Sequence, residues 1–136
     1  MKKLLALVLA IAMLLPVISI ASAEDVTLTY ACFSAAGAQE ETLKSMISVF
    51  ESKNPGIKID VQLTGYADYF TALATKVAGG NAPDVFEMNM ENFLSYMLRG
   101  QTADLSSLGI NTGNYSAGTI AAVSNDGKLY AVPASF

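Results

Sequence analysis

Residues 26–88 alternate between strand-like and helix-like spacing of apolar side chains, and this order restricts the fold more than any other feature. Strands are predicted at Val26–Phe33 and Asp84–Met88, and period-two alternation predicts another at Ile57–Leu63. Helical spacing fills the two intervals between the strands. Strands that alternate with helices predict an α/β fold with right-handed crossovers and a mainly parallel sheet.

The predicted helices each carry an apolar stripe. The first begins at Ala38 and stops at Asn54-Pro55-Gly56. Its stripe, at steps of three and four residues, consists of Leu43, Met46, Ile47 and Phe50. The second helix spans Tyr66–Ala78, and a third is predicted at Glu91–Arg99. The strand at Ile57–Leu63 has one apolar face, which is typical of a position at or near a sheet edge.

A polar cluster follows the third predicted strand. Gly79-Gly80 ends the second helix, because glycine accepts positive φ at low cost. The apolar run Val85-Phe86 then leads to Asn89, Glu91 and Asn92. Ligands of open α/β sheets bind at the carboxyl ends of strands, so this cluster is predicted to form part of a binding site.

The expected topology brings this cluster close to the first strand. If the first strand lies between the second and the third, the order in which strands are added to the sheet reverses beside it. The loops at Ser34–Gly37 and Asn89–Asn92 then face one another across a crevice.

The last third of the chain is predicted to contain a hairpin. Asn125-Asp126-Gly127 is a strong turn sequence. It is expected to join Ala122-Val123 to Leu129–Val132. The preceding Thr119–Val123 fits a short helix as well as a strand.

The amino terminus has the pattern of a secretory signal. Lys2-Lys3 precede an almost wholly apolar run from Leu4 to Ile20, and Ala21-Ser22-Ala23 fits the small-residue cleavage pattern. A membrane helix is the alternative, but the run is short for a span and Pro16 interrupts it. Cleavage after Ala23 leaves 113 residues with 6 basic and 12 acidic side chains, a net charge of −6. This balance argues against nucleic acid or an anionic membrane as partner.

Side-chain chemistry narrows the catalytic possibilities. The sequence has no histidine, which removes the commonest general base and metal ligand. Its one cysteine, Cys32, is interpreted as a buried thiol of the first strand rather than as a lipid anchor. Glu87 and Glu91 could pair as acid and base, and Asp84 could join them, but carboxylates in an acidic chain are usually just solvated. No cofactor and no metal are expected.

The polar cluster suits a neutral polyol. Amides and carboxylates hydrogen-bond hydroxyl groups, and aromatic faces pack on the apolar faces of sugar rings. Asn89, Glu91 and Asn92 supply the polar groups, and Tyr66 and Phe136 supply the rings. The alternative is structural, with the asparagines capping the next helix and the aromatic residues in the core.

Several segments occur in an order typical of one protein family. The first strand and its loop read TYACFSAAG, and the first helix leads into FESKNPGIKIDVQ. These are followed by GYADYFTALATKVAGGNAPDVFEMN, RGQTADLSSL and NDGKLYAVPASF. In this order they resemble the amino-terminal part of a sugar-type extracellular solute-binding protein, the receptor of an ATP-binding-cassette importer. One departure is the absence of tryptophan, which many relatives carry near the strand ends.

The resemblance implies a periplasmic-binding-protein-like, three-layer lobe. Two such lobes, joined by crossing strands, hold sugar between them and need roughly 300–400 residues. Residues 24–136 are therefore expected to form the amino-terminal part of the first lobe, after a signal peptide at residues 1–23. The apolar run into Phe136 agrees with a chain that continues, which the DNA beyond codon 136 would reveal.

The resemblance also implies which residues contact the ligand. They follow the strand ends and the hairpin: Ser34, Ala35, Asn89, Glu91, Asn92, Ser135 and Phe136, with Tyr66 as a weaker candidate.

The expected function is that of a non-enzymatic carbohydrate receptor. It would bind a mono- or oligosaccharide, close by a hinge motion and deliver the sugar to an importer permease. We expect an exported monomer that is periplasmic or extracellular and associated with the cell envelope. The alternatives are a same-fold receptor for an oligopeptide, polyamine or anion, and a secreted carboxylate-based hydrolase.

Overall fold

A computed structural model describes residues 25–34 and 37–134 of the chain. Its helices and strands are, in order, β1 (Val26–Ser34), α1 (Gly37–Lys53), β2 (Ile57–Gly65), α2 (Tyr66–Ala78), β3 (Val85–Phe86), α3 (Met90–Leu98), a 3₁₀ helix (Ser106–Leu108), α4 (Ala117–Ala122), β4 (Ser124–Asn125) and β5 (Lys128–Leu129). The predicted signal peptide, residues 1–23, lies outside the described ranges. So do three predicted site residues, Ala35, Ser135 and Phe136.

The main sheet is parallel and has the order β2-β1-β3. β1 pairs with β2 along its whole length, from Val26 opposite Ile57 to Ser34 opposite Gly65. Its pairing with β3 is much shorter, with Ala31 opposite Phe86. The predicted α/β class, the parallel sheet and the central place of the first strand are confirmed.

β2 forms one edge of this sheet, as its alternating sequence predicted. A carboxylate oxygen of Glu51 in α1 accepts a hydrogen bond from the backbone N–H of Ile59 at 2.9 Å. Glu51 also pairs with Lys58 at 2.8 Å, and this hydrogen bond is the main reason that the pKa of Glu51 is lowered. A side chain of α1 therefore satisfies one donor on the outer edge of β2.

Among the described residues, the core consists of two connected clusters. In the first, Tyr69 and Leu73 of α2 pack with Ala31 of β1 and Tyr96 of α3. In the second, Phe93 and Met97 of α3 pack with Val123, just after α4. Half-buried Met88 contacts both clusters. α3 thus joins the main sheet to the small hairpin.

α1 covers the sheet less completely than its apolar stripe suggests. Leu43 and Ile47 are half-buried, but the side chains of Met46 and Phe50 are 65% and 41% exposed. Within residues 25–34 and 37–134, this flank of α1 is therefore only partly covered.

The third predicted strand and both strands of the predicted hairpin differ from the observed ones, and the second hairpin strand is Lys128–Leu129 rather than Leu129–Val132. The third strand is Val85–Phe86 rather than Asp84–Met88, because Asp84 is bound by the side chain and backbone of Thr29 and Met88 leaves the ladder. The hairpin begins at Ser124 instead of Ala122. The preceding segment is helical, because the Ser116 hydroxyl caps the N–H of Thr119 at 3.1 Å.

None of the helices within the described ranges is both long and apolar enough to cross a membrane.

Candidate ligand site at the carboxyl edge of the sheet

The candidate site lies where β1 and β3 end and separate. β1 continues to Ser34, which lies opposite Gly65, the last residue of β2. Tyr66 follows Gly65 directly and begins α2. β3 ends earlier, and its chain turns into α3 at Asn89. Ser34 and the first turn of α3 therefore lie at the same edge of the sheet.

Asn89 connects the start of α3 to the start of α2. Its side-chain oxygen accepts hydrogen bonds from the backbone N–H of Asn92 at 3.1 Å and from the Asn92 side-chain amide at 2.8 Å. Its own amide donates to the Tyr66 hydroxyl at 3.3 Å. The structural alternative for Asn89 is thus correct, since it caps α3. The same bonds bring three predicted site residues into one cluster, which we call the edge cluster: Tyr66, Asn89 and Asn92.

Tyr66 presents an aromatic surface held by two other rings. It is 52% exposed, so the core alternative does not describe it. Phe33 meets it edge-to-face at 5.2 Å between ring centroids, and Phe70 does so at 5.6 Å. These contacts restrict the ring while about half of the residue stays exposed, which suits a surface on which a sugar ring could stack.

Glu91 lies in the first turn of α3 and is exposed. A carboxylate at this position is favoured by the helix dipole. The structure therefore places Glu91 beside the edge cluster without giving it a structural partner among the hydrogen bonds of the described chain.

Two of the carboxylates considered as a possible acid–base group, Asp84 and Glu87, are each hydrogen-bonded to a different residue of β1. Asp84 accepts from the Thr29 N–H at 2.8 Å and from its hydroxyl at 2.7 Å, and these bonds lower the pKa of Asp84. Glu87 accepts from the Tyr30 hydroxyl at 2.6 Å, and burial, together with this bond, raises the pKa of Tyr30. Among the described residues, no three His, Cys, Asp or Glu side chains are grouped to hold a metal ion.

Cys32 is buried in β1, as expected for a thiol of the core. Burial raises the pKa of its thiol, and the nearby Glu87 carboxylate adds to this effect. The thiol therefore stays protonated and behaves as a small apolar side chain.

Three further aromatic residues support the candidate site without being predicted to do so: Phe33, Tyr69 and Phe70. Tyr66, Tyr69 and Phe70 follow one another at steps of three and one along α2, and their rings form one group with Phe33. The sequence feature that could have indicated this support is the group of three aromatic residues within about one helical turn, directly after a strand.

An open groove of about 240 Å³ lies elsewhere, between the 3₁₀ helix, α4 and the hairpin. Its apolar lining includes Leu105, Ile120 and Leu129. None of the predicted site residues within the described ranges lines it.

Comparison with known proteins identifies the family. Residues 36–135 match the profile of bacterial extracellular solute-binding proteins. The chain belongs to this family. The parallel sheet and the strand order described above are therefore those of a solute-binding protein with the periplasmic-binding-protein fold.

Individual relatives agree with this assignment. The chain is 40% identical over 72 residues to a multiple sugar-binding protein of Streptococcus mutans, covering 52% of this chain and 16% of that protein. It is similar to an ABC substrate-binding protein of Listeria monocytogenes solved in complex with cycloalternan, with 40% identity, a TM-score of 0.68 and coverage of 76% and 27%. It is also similar to a family 1 extracellular solute-binding protein of Alicyclobacillus acidocaldarius, with 35% identity, a TM-score of 0.73 and coverage of 81% and 28%. The chain thus spans about a quarter of the length of these solved relatives.

Proposed function

We propose that this chain is part of an extracellular receptor that binds a mono- or oligosaccharide and passes it to the permease of an ATP-binding-cassette importer. The observation that carries this proposal is the edge cluster, in which two asparagine amides and an exposed tyrosine ring lie together where β1 and β3 separate. Hydrogen-bonding amides beside an aromatic surface suit a sugar.

The relatives of this chain favour a sugar over other solutes. One is a multiple sugar-binding protein, and another was solved with cycloalternan. The mature chain also has only 6 basic side chains, which does not favour an anion.

In this proposal residues 24–136 contribute one wall of the ligand cleft. Tyr66 stacks on a sugar ring, and Asn89, Glu91 and Asn92 bind its hydroxyl groups. Ser34 and Ala35 at the end of β1, and Ser135 and Phe136 after the hairpin, complete the wall. A second lobe beyond this chain supplies the opposite wall, and closure of the two creates the form that the permease recognises.

We further propose that the receptor is exported with cleavage after Ala23, that it works as a monomer without a cofactor, and that it is not an enzyme. It would act in the periplasm or at the outer face of the cell envelope.

Calorimetry with a panel of sugars tests the proposal, using the complete product of the gene that encodes this chain. We expect one sugar to bind, and Asn92→Ala to weaken binding by about tenfold, because an amide that bonds a ligand hydroxyl contributes about 1 kcal/mol or more. Asn114→Ala, which removes an exposed asparagine far along the chain, is the matched control.

Two outcomes would overturn this function. Binding of a peptide, a polyamine or an anion in place of every sugar would indicate another solute class. Turnover of a chromogenic glycoside that disappears in Glu91→Gln would indicate a hydrolase.

A further inference from the structure

Glu87 is the residue at which β3 separates from β1. Its N–H donates to the carbonyl of Ala31 at 2.9 Å, the last backbone bond of this short ladder. Two residues later the chain reaches Asn89 and the edge cluster. The position of Glu87 therefore sets where the edge cluster stands relative to β1.

Tyr69 holds this residue from the face of the sheet covered by α2. Its hydroxyl lies 2.8 Å from the carbonyl oxygen of Glu87 and 3.0 Å from that of Ala31. It thus bridges the two strands at the point where they part. The Tyr69 side chain is only 2% exposed, so a ligand in the cleft does not touch it. Burial raises the pKa of Tyr69, and the hydroxyl therefore remains a neutral donor at working pH.

A second bond holds Glu87 through its side chain, since the Tyr30 hydroxyl donates to its carboxylate. Tyr30 and Ala31 are consecutive in β1 and so point to opposite faces of the sheet. Tyr66, the first residue of α2, is also hydrogen-bonded to Asn89 through its hydroxyl. The segment from Glu87 to Asn92 is therefore fixed by hydroxyl groups on both faces.

We propose that Tyr69 is a positioning residue of the ligand cleft: its hydroxyl fixes the Glu87 carbonyl against β1 and so holds Asn89 and Asn92 at the correct distance from the end of β1. The inference rests on the proposed function and adds a determinant of affinity that does not contact the ligand. Loss of the hydroxyl leaves the ring packed in the core but frees the start of the segment that leads to the edge cluster.

The test compares Tyr69→Phe with Tyr96→Phe in the complete gene product. Tyr96 belongs to the same core cluster, but in the described part of the chain its hydroxyl does not bond either strand carbonyl. Both proteins are measured well below their melting midpoints, by calorimetry with the bound sugar and by amide hydrogen exchange without it. We expect Tyr69→Phe to weaken binding by about fivefold, the equivalent of one hydrogen bond, and Tyr96→Phe to stay within about twofold.

Hydrogen exchange separates positioning from general destabilisation. In Tyr69→Phe the hydrogen-bonded amides of Glu87, Asn92 and Phe93 should exchange faster, while those of β2 should keep the rate of the unsubstituted protein. Uniformly faster exchange, or unchanged exchange and affinity, would overturn the inference. If Tyr69→Phe does not fold, Tyr30→Phe releases Glu87 from the other side and should accelerate the same amides.

The two proposals can fail separately. A protein that binds no sugar contradicts the proposed function, whereas the exchange of the Glu87, Asn92 and Phe93 amides still decides whether Tyr69 positions the edge cluster.

Discussion

Asn89 shows how one side chain can serve both the fold and the site. Its oxygen is used by the helix, through the N–H and the amide of Asn92, and its amide points to Tyr66. Capping and ligand binding therefore do not exclude one another at this position. The two roles predict different effects for the replacement of Asn89 by alanine and by serine.

Substitution of Asn89 separates the two roles. Asn89→Ala should lower the free energy of unfolding by about 1 kcal/mol, because α3 loses its cap, whereas Asn89→Ser should change it by only a few tenths. Both should weaken sugar binding, since both remove the amide. Chemical denaturation and calorimetry measure the two quantities, and equal stability of the two variants would contradict the capping role.

The pair Thr29–Asp84 should make stability depend on pH. The pKa of Asp84 is lowered in the folded protein, chiefly by the N–H and hydroxyl of Thr29. The ionised carboxylate therefore stabilises the fold above its ordinary pKa of about 4, and this contribution is lost as the pH falls through the lower, folded-state value. We expect Asp84→Asn to be less stable than the unsubstituted protein at neutral pH.

The difference in stability between these two proteins should shrink on acidification below about pH 4. Thermal unfolding across a pH series measures it. A difference that does not vary with pH would show that the charge of Asp84 contributes nothing.

The hairpin after α4 depends on its turn. Asp126 and Gly127 have φ values of 50° and 74°, so the turn needs two residues in the left-handed region. Gly127→Ala should therefore lower the free energy of unfolding by about 1–2 kcal/mol. Gly118→Ala is the control, because a Cβ there meets only the Ser116 hydroxyl at 3.9 Å and alanine favours helix. Equal effects of the two substitutions would show that turn geometry does not matter.

Elements with a clear period were predictable from the sequence. The alternation in β2 and the apolar spacing of α2 gave both elements almost to their observed ends, and the strand order followed from general topology. The sequence did not determine α4, because Thr119–Val123 is too short for its period to be recognised and the Ser116 cap decides it.

The candidate site at the carboxyl edge of the sheet was predictable from the sequence only in part, for a physical reason. Asn89, Glu91 and Asn92 follow a strand directly, so local order places them at the sheet edge. Tyr69 depends instead on a contact across 18 residues, between its hydroxyl and the Glu87 carbonyl. Sequence spacing carries no information on such a contact until the register of the strands is known.

At the scale of the whole molecule, the chain corresponds to about a quarter of its solved relatives. The apolar flank of α1 at Met46 and Phe50 is only partly covered within the described residues, and the proposed cleft has one wall. We expect residues 24–136 alone to bind sugar weakly, with a dissociation constant on the order of millimolar, because one wall desolvates only part of a ligand. Calorimetry measures this, and micromolar binding by this piece would contradict a two-walled site.

The most direct test of the account is a nuclear magnetic resonance titration of residues 24–136 with the sugar that the complete protein binds. Weak binding is sufficient, because chemical shifts report which side chains meet the ligand. We predict that the side-chain amide signals of Asn89 and Asn92 move with increasing sugar while that of Asn114 does not. Unmoved Asn89 and Asn92 signals, with shifts confined to the groove beside the hairpin, would contradict the carboxyl edge of the sheet as the sugar site.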